Sequence, residues 1–205
     1  MAEYLYSFAR IARNSREYQG DGWGCAYLAK GQWQSYRTVQ AIWGDDLDQF
    51  PPTTLLLAHV RSASACEGLG VEKNMPFQKG GRIFMFNGYL RGVRIKQAGA
   101  SGAEKLFNLI TSFDRGDLTA ALRKTSALVH KRSKYVRAMN VIIAEDTAIH
   151  LSSRFNEDPD YFTMWRLARE DRLVLCSEVC SDDPGWESVP NGTTSVFPVF
   201  HSPEA

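Results

Sequence analysis

The first part of the chain combines one helical pattern with several short apolar runs. Residues Tyr4–Arg16 carry apolar side chains at helical spacing and predict an α-helix, which Gly20–Gly24 would end. Apolar runs bounded by turn residues predict buried strands, and Thr54–Val60 is the clearest of them. The other strands predicted here are Cys25–Leu28, Trp33–Val39 and Arg82–Phe86, the last ending in a turn at Asn87-Gly88.

The second part of the chain predicts two helices followed by strands. The helices are Glu104–Phe113 and Leu118–His130, and the strands are Val136–Ala144, Ala148–Ser152, Leu173–Cys176 and Thr194–Val199. The first two of these strands flank a turn at Glu145-Asp146 and predict a hairpin. Helices and strands that are segregated in this way favour an α+β fold with mostly antiparallel sheet. No linker-like segment interrupts the chain, so residues 1–205 are predicted to form a single domain.

Composition limits the possible partners. Hydrophobic residues make up 44% of the chain and its net charge is +1, so no overall field attracts nucleic acid or an anionic membrane. No apolar run has the length of a membrane span. The basic cluster Arg123–Arg137 is interpreted as a solvated helix face, because only Tyr135 could stack on a base. The four cysteines have no metal-type spacing, and we expect reduced thiols, no metal or cofactor, and a cytoplasmic protein.

Three segments carry candidate chemistry. The turn Asp21–Gly24 precedes a predicted strand, and His59–Ser64 and Phe86–Gly88 each follow or end one. Arg61 offers a planar fork for a carboxylate, although an arginine taken alone is more often a structural ion-pair partner. Asn87 with the backbone N–H of Gly88 could form an oxyanion hole, although Asn-Gly is also a common turn dipeptide.

In this order, the segments resemble the class II glutamine amidotransferases of the N-terminal-nucleophile hydrolase superfamily, and most of all their small stand-alone members. The matching residues are Asp21–Tyr27, Ala58–Ser64, Asn74–Phe77, Phe86–Gly88, Cys176–Glu178, Trp186 and Pro190–Gly192. The resemblance implies a four-layer αββα sandwich of two mostly antiparallel sheets. It also implies hydrolysis of the glutamine side-chain amide by an N-terminal cysteine, whose own α-amino group serves as the base.

The resemblance assigns roles to six positions. Arg61 would hold the glutamine α-carboxylate, and Asn87 and Gly88 would form the oxyanion hole. Ser64 lies where larger members have a substrate-contacting threonine. Gly102 lies where the family has the aspartate that holds the α-amino group, and Glu104 lies at the other acidic position.

The nucleophile is missing from the sequence as it stands. The chain begins Met1-Ala2, and the first strand of the family fold is expected to be absent together with the cysteine. Cys25 is predicted to be buried core, and Cys66 has no α-amino group to deprotonate it.

These losses leave three hypotheses for function. The first is an inactive domain that acts as a binding or assembly subunit. The second is an active glutamine amidohydrolase that supplies ammonia to a synthase and whose N-terminal cysteine segment is missing here. The third is a changed ligand, such as a small carboxylate without an α-amino group. A missing strand would also expose a sheet edge, which predicts a protein partner or a homo-oligomer that covers it.

Overall fold

The computed structural model describes residues 1–63 and 68–199. The chain divides into two compact units, with Met1–Ile83 and Val199 in the first and Phe84–Pro198 in the second. Each unit has its own cluster of buried side chains. The single domain predicted for residues 1–205 stays a prediction.

In its described residues, the first unit has one long helix, three single-turn 3₁₀ helices and short strands. Its helix is α1 (Ala2–Asn14), and its strands are β1 (Trp23–Ala29), β2 (Gln32–Thr38), β3 (Leu56–Val60) and β4 (Phe77–Lys79). The 3₁₀ helices are Ile42–Gly44, Leu47–Gln49 and Val71–Lys73. Strand β1 lies between β2 and β3 and is antiparallel to both.

The core of the first unit lies between α1, β1 and the first two 3₁₀ helices. Its fully or nearly buried side chains are Leu5, Ala9, Ala12, Trp23, Cys25, Ile42, Leu47 and Phe50. The three core residues from α1 are Leu5, Ala9 and Ala12, which recur at helical spacing. One face of the helix is therefore apolar and packs inward. Asp45 lies beside this core, and its carboxylate accepts hydrogen bonds of 2.8 Å from the Trp23 indole and from the Tyr36 hydroxyl. The buried Trp23 indole N–H and the half-buried Tyr36 hydroxyl are thereby both satisfied.

The second unit contains most of the helices and strands. Strand β5 (Arg82–Arg91) begins at its boundary and is followed by α2 (Gly102–Phe113), α3 (Leu118–Arg132), β6 (Tyr135–Ala144), β7 (Ala148–Ser153), α4 (Pro159–Phe162), β8 (Met164–Ala168), β9 (Leu173–Cys176), β10 (Glu187–Val189) and β11 (Thr193–Pro198). Strands β11, β7, β6 and β5 are neighbours in that order in one sheet. A second sheet has the order β10-β8-β9.

Local sequence explains where the two long helices of this unit begin. The Ser101 side chain accepts a hydrogen bond from the backbone N–H of Glu104, and the Asp117 side chain accepts one from Ala120. Helix α2 packs on β5 through Phe84 and Phe107, whose rings stack with their centroids 4.8 Å apart. Its apolar face therefore anchors the helix to the sheet.

The predicted α+β class with antiparallel sheets is confirmed, and so are the three predicted helices and the β6–β7 hairpin. The turn predicted at Asn87-Gly88 is wrong, because β5 continues through both residues to Arg91. Strands β4, β8 and β10 and the short helix α4 were not predicted, since three to five residues carry too little periodicity. Among the described helices, none has the length and apolar character needed to cross a membrane.

Candidate functional site

The turn before β1 is joined to the segment after β3. The backbone N–H of Asp21 donates to the carbonyl of Arg61 at 3.0 Å, and the N–H of Arg61 donates to the carbonyl of Gly22 at 2.9 Å. The Asp21 carboxylate accepts a further bond of 2.7 Å from the N–H of Ala63. Two motifs that lie about forty residues apart in the sequence therefore form one hydrogen-bonded unit.

Arg61 follows β3 directly, and its side chain is only 6% exposed. Its guanidinium donates to the carbonyl of Gly68 at 3.2 Å. A buried guanidinium at a strand end is a suitable group for a carboxylate, because its planar fork is held in place by its surroundings. The structure places Arg61 at the end of a strand, as the sequence predicted, and its hydrogen bonds to the Asp21–Gly24 turn were not predicted.

The third motif segment, Asn74–Phe77, packs against the same turn. Asn74 is fully buried, and its side-chain amide donates to the carbonyl of Thr38 at 2.6 Å. Gly22 has a positive φ of 119°, and a Cβ there would lie 2.6 Å from the Thr38 carbonyl oxygen and would also overlap the Asn74 amide. Only glycine fits this turn, which explains its place in the motif.

Asn87 and Gly88 lie side by side in the second unit, within β5. Both are half-buried, and no other group in the described part of the chain makes a hydrogen bond with the Asn87 side-chain amide. A Cβ on Gly88 would overlap the carbonyl oxygen of Ala138 on β6 and would lie 2.6 Å from its carbonyl carbon. Glycine at position 88 is thus required by strand packing. The Asn87 amide remains available to a ligand oxygen, as an oxyanion hole requires.

Gly102 is the first residue of α2, and it supplies no side chain at the position where the resemblance predicted an amino-binding aspartate. The nearest acidic residue in the sequence is Glu104, and its carboxylate already makes a hydrogen bond within the chain. Its carboxylate accepts the backbone N–H of Ala100 at 2.5 Å, while its own N–H donates to the Ser101 hydroxyl at 3.1 Å. The Ser101 hydroxyl thus caps the helix, and the Glu104 carboxylate binds the N–H of the residue before the N-cap, so both bonds stabilise the start of the helix. Glu104 therefore does not replace the missing aspartate in this conformation.

Cys25 lies within β1 and has no exposed surface, as predicted. Burial raises the pKa of its thiol to about 12, with a smaller contribution from the charge of Asp45. At neutral pH the group is a neutral thiol, and the thiolate is the form that attacks amides. Ser64 and Cys66, the other predicted candidates, lie outside the described residues.

Asn191, in the motif near the C-terminus, has a structural role. Its side-chain oxygen accepts from the N–H of Phe155 at 2.9 Å, and its amide donates to the carbonyl of Phe155 at 2.8 Å. The pair fixes the turn before β11 to the segment after β7. This family-like residue is explained by the fold without a ligand.

One surface feature of the first unit was missed by the sequence reasoning. A cleft of about 530 Å³ lies between α1 and the first two 3₁₀ helices, with Arg10, Arg13 and Asp45 among its lining residues. Of the predicted site residues that the structure describes, none lines it. The sequence signal that could have indicated this cleft is the pair Arg10 and Arg13, which lie three residues apart on one face of α1.

The chain resembles known hydrolases and amidotransferases, although it matches no family model. It is 29% identical over 178 residues to the gamma-glutamyl-hercynylcysteine sulfoxide hydrolase of Mycolicibacterium smegmatis. The aligned region covers 83% of this chain and 74% of that hydrolase.

Solved structures share its fold. A glutamine aminotransferase class-II domain protein from Silicibacter pomeroyi superposes with a TM-score of 0.64 at 18% identity, covering 85% of this chain and 86% of that one. The glutamine phosphoribosylpyrophosphate amidotransferase of B. subtilis superposes with a TM-score of 0.66 at 15% identity, covering 98% of this chain and 47% of that one. At these identities the likeness establishes a common fold.

Proposed function

We propose that this chain, which has the N-terminal-nucleophile hydrolase fold of the class II glutamine amidotransferases, is a binding or assembly subunit that does not itself hydrolyse glutamine. The observation that carries the proposal is the start of α2, where Gly102 has no side chain and Glu104 is held in the helix cap. A cationic α-amino group would find no carboxylate there. The ligand that best suits this chain is therefore a small carboxylate or a side-chain amide without an α-ammonium group.

The cysteines of the described residues support the absence of catalysis. Nucleophilic attack in this fold needs a thiolate beside a free α-amino group that takes up its proton. Cys25 is enclosed in the core of the first unit, and its raised pKa keeps it protonated. Cys176 and Cys180 are internal residues near the end of β9, so neither has an α-amino group of its own.

The assembly part of the proposal is supported by the sheet of the first unit. In the order β2-β1-β3, the outer strands are β2 and β3. Strand β2 presents mainly exposed polar side chains, which discourage pairing, whereas β3 carries half-buried aliphatic residues. An edge such as β3 suits pairing with a strand of a second copy or of another protein. Sedimentation over a range of concentrations tests this point, and a monomer at every micromolar concentration would contradict it.

A second candidate is an active glutamine amidohydrolase that supplies ammonia to a synthase. The similarity to the mycobacterial hydrolase favours it, as do the retained Arg61, Asn87 and Gly88. This function needs an N-terminal cysteine, which a segment preceding Met1 would have to supply. The second candidate function therefore requires an N-terminal cysteine, and the first does not.

An assay of glutamate formation from glutamine separates the candidates. Residues 1–205 are expected to release no glutamate above the rate without protein. A form extended upstream to an in-frame Met-Cys is assayed beside it, and activity in that form alone would favour the second candidate. Turnover by residues 1–205 that disappears when a cysteine is substituted by alanine would overturn the proposal.

A further inference from the structure

Two segments of the second unit that lie about forty residues apart in the sequence are hydrogen-bonded to each other. They are the end of β5 with the residues that follow it, and the end of α3 with the start of β6. The backbone N–H of Arg94 donates to the carbonyl of Arg132 at 2.8 Å, and the N–H of Lys134 donates to the carbonyl of Arg91 at 3.1 Å. The stem of the Lys134 side chain lies over Gly92, where an added Cβ would be 2.7 Å from the Lys134 Cγ. These contacts hold the cations of both segments close together.

The two segments carry a cluster of exposed cations, which we call the β5–α3 surface: Arg91, Arg94, Lys131, Arg132 and Lys134. Within residues 1–63 and 68–199, none of the five is in an ion pair with an acidic side chain. The net charge of the whole chain is only +1, so unbalanced positive charge is concentrated here. The dipole of α3 favours the two cations in its last turn, but it does not account for the other three.

Two tyrosines lie beside these cations. The rings of Tyr89 on β5 and Tyr135 on β6 have their centroids 6.1 Å apart and are inclined at 63° to each other. The Arg91 guanidinium lies over the Tyr135 ring, 5.5 Å from its centroid. Tyr89 and Arg91 are two residues apart in β5, so their side chains share one face of the strand. Tyr89 is 42% exposed, which leaves part of its ring open to a ligand.

This arrangement changes the interpretation of the basic cluster Arg123–Arg137. In the sequence, only Tyr135 accompanies the cluster, which indicated a solvated helix face. The structure adds the exposed ring of Tyr89 and two arginines from a distant part of the chain. Cations contact phosphates, and an exposed aromatic ring stacks on an unpaired base. Because the bases of a duplex already stack on one another, such a ring suits a single strand.

We propose that the β5–α3 surface binds single-stranded nucleic acid, with Tyr89 stacking on a base and the five cations contacting phosphates. The proposal does not rest on the proposed function above, because none of these residues belongs to the predicted amidotransferase site. The exposed Glu157 borders the surface, since its carboxylate accepts the Tyr135 hydroxyl at 2.6 Å. Its negative charge repels phosphates, so removing that charge is expected to strengthen binding.

The probe is a fluorescein-labelled oligothymidylate of about fifteen nucleotides, a length within the range that single-strand sites cover. It is titrated with residues 1–205, and binding is followed by fluorescence anisotropy. Binding is expected at micromolar protein in low salt, and the logarithm of the binding constant should fall linearly with the logarithm of the salt concentration. No binding at about 100 μM protein in about 50 mM salt would overturn the proposal.

Neutral variants locate the phosphate contacts. Arg94→Gln and Lys134→Gln are each expected to weaken binding several-fold and to reduce the salt slope by about 0.7, the value for one single-strand phosphate. Arg10→Gln is the matched control, because it removes the same charge from an exposed position on α1 in the other unit, and it should leave binding unchanged. Glu157→Gln is expected to tighten binding. Equal effects of Arg94→Gln and Arg10→Gln would overturn the assignment to this surface.

Tyrosine variants separate stacking from charge. Tyr89→Leu keeps an apolar strand residue without a ring, and it is expected to weaken binding about tenfold with the salt slope unchanged. Tyr89→Phe keeps the ring and should bind as the wild type does. Circular dichroism confirms that each variant folds. Equal affinities of Tyr89→Leu and the wild type, or competition by polyphosphate or polyglutamate as effective per charge as by unlabelled oligothymidylate, would show binding of polyanions by charge alone and overturn the proposal.

Discussion

The carboxylate of Asp21 accepts a hydrogen bond of 2.7 Å from the backbone N–H of Ala63, two residues after Arg61. The contact joins the glycine-rich turn before β1 to the segment that carries the buried arginine. The position of Arg61 therefore depends on a residue that would not itself touch a ligand.

Replacing Asp21 by alanine removes this acceptor and leaves the Ala63 N–H without its charged partner. We expect the free energy of unfolding in urea to fall by about 2 kcal/mol, the usual range for a hydrogen bond to a charged group. Asp146→Ala is the matched control, because Asp146 is exposed in the β6–β7 turn, and it should change stability by less than about 0.5 kcal/mol. Equal effects of the two variants would show that the Asp21 contact does not matter.

Gly88→Ala tests whether strand packing explains the glycine. The added Cβ would overlap the backbone of Ala138, which cannot move as a flexible side chain could. We expect a loss of about 3 kcal/mol in the free energy of unfolding. Gly80→Ala is the control, since Gly80 has a positive φ of 57° but open space around it, and it should cost about 1 kcal/mol. A Gly88→Ala variant no less stable than Gly80→Ala would contradict the packing argument.

The Cys25 thiol should resist modification in the folded protein. Burial and a pKa raised to about 12 leave it both inaccessible and protonated. Labelling with a thiol-specific reagent at pH 8, followed by peptide mapping, should mark Cys180 in the native state and Cys25 only in guanidinium chloride. Native labelling of Cys25 at the rate of Cys180 would reopen its candidacy as a nucleophile.

The pKa of His130 is lower in the folded chain than in the unfolded chain, so the free energy of unfolding should depend on pH. Burial is the main cause that lowers the pKa of this imidazole below its ordinary value, while its bond to the Ser126 carbonyl opposes the shift. The unfolded chain therefore binds the proton more readily, and stability is lost as pH falls below about 6.5, the unfolded value. Urea unfolding between pH 8 and pH 5 should show this decrease in the wild type and a smaller one in His130→Gln. Parallel curves for the two proteins would contradict the assignment.

Residue patterns in the sequence predicted much of this fold. Long periodic segments such as α3 and the β6–β7 hairpin were found with small errors at their ends, because their apolar spacing repeats several times. The extension of β5 through Asn87-Gly88 was missed. A turn dipeptide looks the same in sequence whether or not a neighbouring strand requires the glycine, and only the contact with Ala138 reveals the difference.

The candidate site was predicted residue by residue, but the contacts that decide its chemistry were not. The resemblance identified Gly102 as the position of a missing acid. It could not show that Glu104 is held by Ala100 and Ser101 in a helix cap, since an acid three residues after a serine can also face solvent.

The central claim is that the start of α2 offers no carboxylate that would select an α-amino group, because Gly102 has no side chain and Glu104 is held in the helix cap. Isothermal titration of residues 1–205 with glutamine and with glutaramate, which is glutamine without its α-amino group, tests it most directly. Two variants are titrated in parallel: Gly102→Asp restores the acid at the helix start, where a negative charge is favourable, and Gly102→Asn matches its size without the charge. We predict that the wild type and Gly102→Asn bind glutaramate at least as tightly as glutamine, and that Gly102→Asp prefers glutamine by about tenfold, or about 1.4 kcal/mol. A wild-type chain that already prefers glutamine tenfold, or that binds neither compound, would contradict the claim.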